Sequence, residues 1–144
     1  MSEDARSQVR YAEAEDRSFW FRLDRHLPGN GFERIVREHR GYVVSDSDTP
    51  KGLLRYGLFW DWIPFCNLII IDENCRGQGL GRKLIQNWEA DMCREGYELV
   101  MTSTQVDESA QHFYRKLGYR DCGGLLLDFP GYEQPMELFL AKIL

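Results

Sequence analysis

The residues best suited to chemistry lie in the run Ile71-Asp72-Glu73-Asn74-Cys75-Arg76-Gly77-Gln78-Gly79-Leu80-Gly81-Arg82-Lys83. An apolar stretch, Leu68-Ile69-Ile70-Ile71, leads into it, and the helical spacing of Leu80, Leu84, Ile85, Trp88 and Met92 leads out of it. The first-turn N–H groups of a helix have no intrahelical partner and carry the positive end of its dipole. Alternating glycines let the main chain come close to a ligand in conformations a side chain forbids. Together these features predict a cradle for a phosphate or diphosphate between Arg76 and Lys83, with Arg76, Arg82 and Lys83 adding positive charge. The same glycines would equally serve a tight, closely packed turn. Two familiar cradles fit poorly. The P-loop ends in Gly-Lys-Ser/Thr, which is absent, and the dinucleotide fingerprint needs a glycine where Arg82 stands.

A second segment narrows the reading. After one helix and one strand comes Asp107-Glu108-Ser109-Ala110-Gln111-His112-Phe113-Tyr114-Arg115-Lys116-Leu117-Gly118-Tyr119. Arg76-x-x-Gly79-x-Gly81 resembles the acyl-CoA-binding signature of the GNAT superfamily of N-acetyltransferases, and Ala110-x-x-Phe113-Tyr114-x-Lys116-x-Gly118-Tyr119 resembles that family's later helical motif. The resemblance covers roughly residues 67–119. It implies acetyl-CoA as co-substrate and no metal. The main chain of Ile69, Ile70 and Ile71 would pair with the pantetheine arm, the Ile71 N–H polarising the thioester carbonyl. The N–H groups of Arg76, Gly77, Gln78, Gly79, Leu80, Gly81 and Arg82 would take the pyrophosphate, with Arg82 or Lys83 reaching the ribose phosphate. Tyr114 matches the family tyrosine that protonates the departing thiolate; a phenol remains protonated at neutral pH, as that role requires. Tyr114 also shares a helical face with Ala110, Phe113 and Leu117, so a place in the core would explain it as well.

The chain departs from the family pattern at two places. Asp107 stands where the family commonly has Asn near the cofactor arm; Asp caps a helix equally well, so the contact rather than the fold is in question. The strand entering the glycine run reads Pro64-Phe65-Cys66-Asn67, without the glutamate base of some members. A protonated amine must lose its proton before attack, so Asp61, Asp72, Glu73 or a water chain is left to accept it. The aromatic segment Phe59-Trp60-Asp61-Trp62 is read as the acceptor-binding wall, with Asp61 attracting a cationic amine. Cross-strand aromatic pairing in a hairpin is the alternative. His112 is expected to face solvent, and His26 and His39 to sit near helix ends.

These groups need a scaffold. Val9–Ala12 reads as a first strand, 16–27 as a helix stopped by Pro28-Gly29, and Asn30 with Glu33 as a capping pair for a second helix that stops at Gly41. Tyr42–Ser45, Leu53–Trp60 and Phe65–Ile71 read as strands, the last two a hairpin, with a turn over 46–50. The long helix closes at Gly96, followed by strand Leu99–Thr104, a helix capped by Asp107, and strands at Leu125–Leu127 and Met136–Ile143. The expected fold is α/β (α+β): one mixed, mostly antiparallel sheet of six or seven strands flanked by about four helices, in a single domain spanning 1–144.

Composition bounds the rest. With 144 residues, 43% hydrophobic and 28% charged, the chain can bury a core of its own. A net charge of −5 offers no general attraction for nucleic acid or anionic membrane. Cys66, Cys75, Cys93 and Cys122 lack metal or disulfide spacing, and Met1–Arg10 lacks a targeting pattern, so a reducing, cytoplasmic setting is expected. The expected partner is a small-molecule or protein amine, and the aromatics could pair two copies as a homodimer. A non-catalytic acyl-CoA sensor or scaffold, motivated by the missing base, is the alternative, and a dinucleotide enzyme is a weaker third.

Overall fold

The protein is described by a computed structural model over residues 6–144. The N-terminal stretch Met1–Ala5, part of the targeting reading, lies outside the described residues. Seven strands form one mixed sheet: β1 Ser7–Tyr11, β2 Gly41–Asp46, β3 Thr49–Phe59, β4 Ile63–Ile71, β5 Leu99–Gln105, β6 Arg120–Leu125 and β7 Glu137–Ile143, in the order β1-β2-β3-β4-β5-β7-β6. Four helices accompany them among the described residues: α1 Arg17–Leu23, α2 Gly31–Glu38, α3 Leu80–Arg94 and α4 Ala110–Lys116. The β4–β5 pair is parallel, whereas β1–β2, β2–β3, β5–β7 and β6–β7 are antiparallel. This is the mixed sheet that the alternation of helical and strand periods predicts.

The chain clusters into two compact units, Met1–Gly57 with Asn67–Asp91, and Leu58–Cys66 with Met92–Leu144. In the first, strand alternation separates two apolar layers. Val43 and Leu53 point to one side and pack with Ala12, Trp20, Phe32 and Ile35, so the aromatic stripes of α1 and α2 cover that side. Tyr42 and Tyr56 point to the other, where Tyr56 meets Trp88 of α3 with ring centres 5.9 Å apart and the Tyr42 hydroxyl donates to Asp91 at 2.7 Å. In the second unit, Phe59, Phe65 and Phe139 pack ring to ring at 5.9–6.4 Å, and Tyr114 meets Tyr119 edge-on at 5.5 Å. Strand β6 forms the sheet edge with all six residues exposed.

Several boundaries differ from the periodicity. α1 stops at Leu23 rather than Leu27 because Asp24 turns extended and becomes a buried knot. Its carboxylate accepts from the Trp20 indole at 3.1 Å, Arg55 Nε at 2.8 Å, and the N–H groups of His26 and Leu27. Leu27 still packs on the core from outside the helix. Asn30 is the N-cap residue of α2, whereas Asp107 is not that of α4. Asn30 makes no side-chain cap bond, and Ser109 occupies the cap of α4 while Asp107 lies in the preceding turn. The expected strand over 125–127 instead runs from Arg120 to Leu125, where Gly123 and Gly124 obscure the strand signal and a register shift falls between Asp121 and Gly123. The 46–50 turn shrinks to Ser47 and Asp48, both at positive φ, and Pro50 joins β3.

The Asp24 knot carries a stability prediction. Burial pushes its carboxyl up, but the Arg55 guanidinium, the His26 N–H and the Trp20 indole outweigh it and hold the group below the ordinary carboxylate value. A folded value below the unfolded one means the contribution is complete above about pH 4 and is lost as pH falls through the lower, folded value. Asp24→Asn should therefore lower stability at pH 7 by about 3 kcal/mol and flatten the acid limb of a urea-melt pH series.

Candidate acyl-CoA site

The first cluster is the turn between β4 and α3. β4 runs out at Ile71, Asp72 starts a 3-10 turn over Glu73–Cys75, and the chain reaches α3 at Leu80. Gly77 and Gly79 both adopt left-handed φ, +79° and +80°, which is what their lack of a side chain permits. A Cβ built at either position would meet nothing within 4 Å, so the loop's outer surface is open. Among the described residues, no protein acceptor takes the main-chain N–H groups from Arg76 through Arg82; the first satisfied donor is Lys83, bonded to the Gly79 carbonyl at 3.1 Å. A row of unspent donors heading a 15-residue helix has the chemistry of an anion cradle. A cleft of about 490 Å³ borders it, lined by Arg6, Ser7, Asp46, Gln78, Gly79 and Arg82.

The basic residues divide their work. Arg76 turns back on the main chain, its Nε donating to the Ile71 carbonyl at 3.3 Å. Lys83 is half-buried, and its ammonium donates to both the carbonyl and the hydroxyl of Ser7, tying α3 to β1. Arg82 is exposed beside the cleft. Of the three carboxylates considered as bases, Asp72 is engaged by Arg22 at 3.2 Å and by the Asn74 N–H at 3.4 Å. Glu73 is exposed after β4, and Asp61 is exposed in the turn before it.

The β4 strand itself has two regimes. Its ladder with β5 comprises the pairs Phe65↔Met101 and Cys66↔Thr102; Asn67–Ile71 has no β5 partner among the described residues. Leu68, Ile69, Ile70 and Ile71 are apolar yet only half-buried. An unpaired strand edge invites another extended chain.

The second cluster surrounds Tyr114, whose side chain is buried at 4% exposure. Thr102 and Cys66 are the neighbours that act on its hydroxyl most strongly. Thr102 Oγ1 in turn donates to the Cys66 carbonyl at 3.1 Å. Burial, and then the neighbouring Cys66, push the Tyr114 phenol well above its ordinary value, with Thr102 pulling the other way. The group is thus a fully protonated phenol throughout the neutral range. Two rungs along β5, the buried Thr104 hydroxyl has no protein partner, a donor left for a ligand or water. Sequence reasoning missed Thr102, Thr104 and Cys66; only the alternation of Val100, Thr102 and Thr104 along one strand face hinted at them.

The aromatic segment ends β3 and forms the turn before β4, whereas Ile69–Ile71 end β4. Phe59 belongs to the phenylalanine cluster, while Trp60 and Trp62 are 72% and 56% exposed. Trp60 and Asp61 both sit at positive φ, 54° and 65°, an unfavoured geometry for such side chains in a tight hairpin. His112 is exposed, and His39 ends α2 in a left-handed conformation. Among the described residues, no group of three or more His, Cys, Asp or Glu gathers in a metal-binding arrangement, and no helix is long and apolar enough to cross a membrane.

A mixed seven-stranded sheet with a parallel β4–β5 pair and a glycine turn heading a helix is the architecture that the comparisons match. The family model for the acetyltransferase (GNAT) domain matches residues 37–121, and the chain belongs to that family. A curated relative, the blasticidin-S acetyltransferase of Streptomyces morookaense, is 30% identical over 88 residues, covering 60% of this chain. The chain's match spans 63% of the length of that relative. In fold it is similar to Ard1 from Thermoplasma volcanium, with a TM-score of 0.82 at 16% identity over 96% of this chain and 98% of that one. A chain of the NatC complex bound to Gag peptide and CoA gives 0.79 at 16% identity over 96% and 98%.

Proposed function

We propose that the protein transfers the acetyl group of acetyl-CoA to an amine by direct attack in a ternary complex. The observation that carries this reading is the row of unspent N–H donors from Arg76 through Arg82, held open by Gly77 and Gly79. Membership of the GNAT family and the acetyltransferase name of the curated relative support it. The co-substrate brings an activated thioester and a diphosphate that the cradle suits. The loop amides hold the diphosphate, the free edge of Ile69–Ile71 aligns the pantetheine arm, and the Ile71 N–H steadies the negative charge that develops on the thioester oxygen. Tyr114 supplies the proton that the departing sulfur needs. Asp107, exposed in the turn before α4, remains a candidate contact for the cofactor arm. The attacking amine gives its proton to water, since no carboxylate lies on β4 and Asp72 is held by Arg22.

The acceptor is proposed to be a cationic small-molecule amine, with Asp61 and the exposed Trp60 and Trp62 attracting it. The curated relative's name makes blasticidin S the first compound to try. Thiol release from acetyl-CoA should be followed with blasticidin S, spermidine, an aminoglycoside, a lysine peptide and a peptide with a free N-terminus. Saturable release with one or more of them supports the reading. Tight acetyl-CoA binding with no release from any would favour a non-catalytic sensor.

The unequal basic residues give a further expectation. Arg82→Ala should weaken acetyl-CoA binding by roughly fivefold at low salt and less at high salt, as an exposed charge–phosphate contact does. Lys83→Met should instead lower the melting temperature through the lost tie to Ser7 and leave affinity nearly unchanged. Calorimetric titration and thermal melting separate the two.

A further inference from the structure

Exposure alternates along β5 and β7. Val100, Thr102, Thr104, Leu138 and Leu140 are buried on one face, whereas Ser103, Glu137 and Phe139 on the opposite face are half-buried. Ser103 Oγ donates to Glu137 Oε1 at 2.8 Å, and Gln134 Nε2 donates to Oε2 at 3.2 Å, which fixes the carboxylate on that half-buried face. Both donors are neutral, and among the described residues no lysine, arginine or histidine pairs with Glu137. An ionised carboxylate accepts about four hydrogen bonds, so each oxygen has room for a further donor. Phe139, two residues along β7, forms a wall with Phe59 and Phe65, and Phe59 extends it to the exposed Trp60 with ring centres 4.7 Å apart. The β6 partner of Phe139 is Gly123, where a built Cβ would meet nothing within 4 Å, so the space beside that ring is open. All of these residues belong to the second unit.

A half-buried carboxylate beside aromatic rings loses hydration without gaining a countercharge. A ligand cation restores the balance, and the ring faces attract it as well. A carboxylate also favours the charged form of the nitrogen it holds, and a charged nitrogen cannot attack a thioester. The nitrogen held here is therefore not the one that reacts. We propose that Glu137 anchors the non-reacting ammonium or guanidinium group of the acceptor, with Phe59, Phe65 and Phe139 packing against its apolar stem. The acceptor class is then an amine that carries a second positive charge. Assigning this cation to the acceptor rests on the acetyl-transfer reading above. The site also agrees with the strand's geometry, since Ser103 follows Thr102, the neighbour of Tyr114, and points to the other face.

The test titrates the CoA-saturated protein by calorimetry with spermidine, butane-1,4-diamine and butylamine, the last having a single nitrogen. We expect both polycations to bind, and Glu137→Gln to weaken them by about tenfold or more, as the loss of one charge-assisted hydrogen bond does. Butylamine should bind weakly and change by less than about twofold, because its nitrogen is the reacting one. Ser103→Ala should weaken the polycations by roughly threefold through a less well oriented carboxylate. Should Glu137→Gln melt too low to titrate, spermidine added to the labelled parent should shift the Ser103, Glu137 and Phe139 amide signals saturably. Unchanged polycation affinity in Glu137→Gln, an equal loss for butylamine, unmoved amides, or no polycation binding to the parent overturns the proposal. Any of these with thiol release from the amine panel intact leaves acetyl transfer standing. Glu137-dependent polycation binding with no thiol release from any amine removes the transfer reading and keeps Glu137 as a cation site.

Discussion

Tyr114→Phe is expected to lower kcat by about 100-fold while KM for acetyl-CoA stays within about twofold. The substitution keeps the ring, so the edge-on contacts with Phe113 at 5.3 Å and Tyr119 at 5.5 Å survive. What disappears is one proton at the point where a thiolate must be neutralised. Removing the buried hydroxyl should cost about 1 kcal/mol of stability, too little to unfold the domain and visible as a small drop in melting temperature. The upward push on the Tyr114 phenol also fixes the sign of a pH effect. Because the group loses its proton only above its ordinary value, the parent enzyme should show no fall in kcat from Tyr114 ionisation below about pH 10. A steady-state pH series of parent and variant, with melts alongside, checks all three statements.

The second large effect is expected at the cradle. Gly79→Glu should weaken acetyl-CoA binding by more than about 100-fold, because a carboxylate placed some 4 Å from a diphosphate opposes it by about 4 kcal/mol at an effective dielectric of 20. Position 79 has open space where the side chain would begin, so packing does not forbid the change. Its φ of +80° does penalise any side chain, by roughly 1–2 kcal/mol. Gly79→Ala carries the same backbone strain without the charge. It should bind acetyl-CoA within about tenfold of the parent, and the gap between the two variants isolates the electrostatic part. Equal affinity of Gly79→Glu and the parent, by calorimetric titration, would remove the diphosphate from this loop.

The sequence displays the cradle because its requirements are local. Gly77 and Gly79 are at positive φ, and the helix they head has an apolar stripe at clear helical spacing. The same locality makes the strand order of β2, β3 and β4 and the helical placement of Tyr114 legible. What escapes is non-local. Nothing near Asp24 in the chain announces Arg55 of β3, the partner that helps end α1 four residues early. Thr102 and Cys66 are 36 residues apart and meet only as ladder partners, so the bond between them appears only when β4 and β5 pair. Lys83 reads as a phosphate ligand by charge and reach, whereas the structure ties it to Ser7, a residue 76 positions earlier. Charge and spacing predict where an anion can bind; they do not predict which cation is already engaged by the protein.

Titrating the isotopically labelled protein with CoA, and separately with pantetheine, while following main-chain amide signals probes the cradle most directly. Large saturable shifts of the Gly77, Gln78, Gly79 and Gly81 amides with CoA, absent with pantetheine because it carries no diphosphate, are the predicted result. Saturable CoA binding that leaves those amides unmoved would contradict the account.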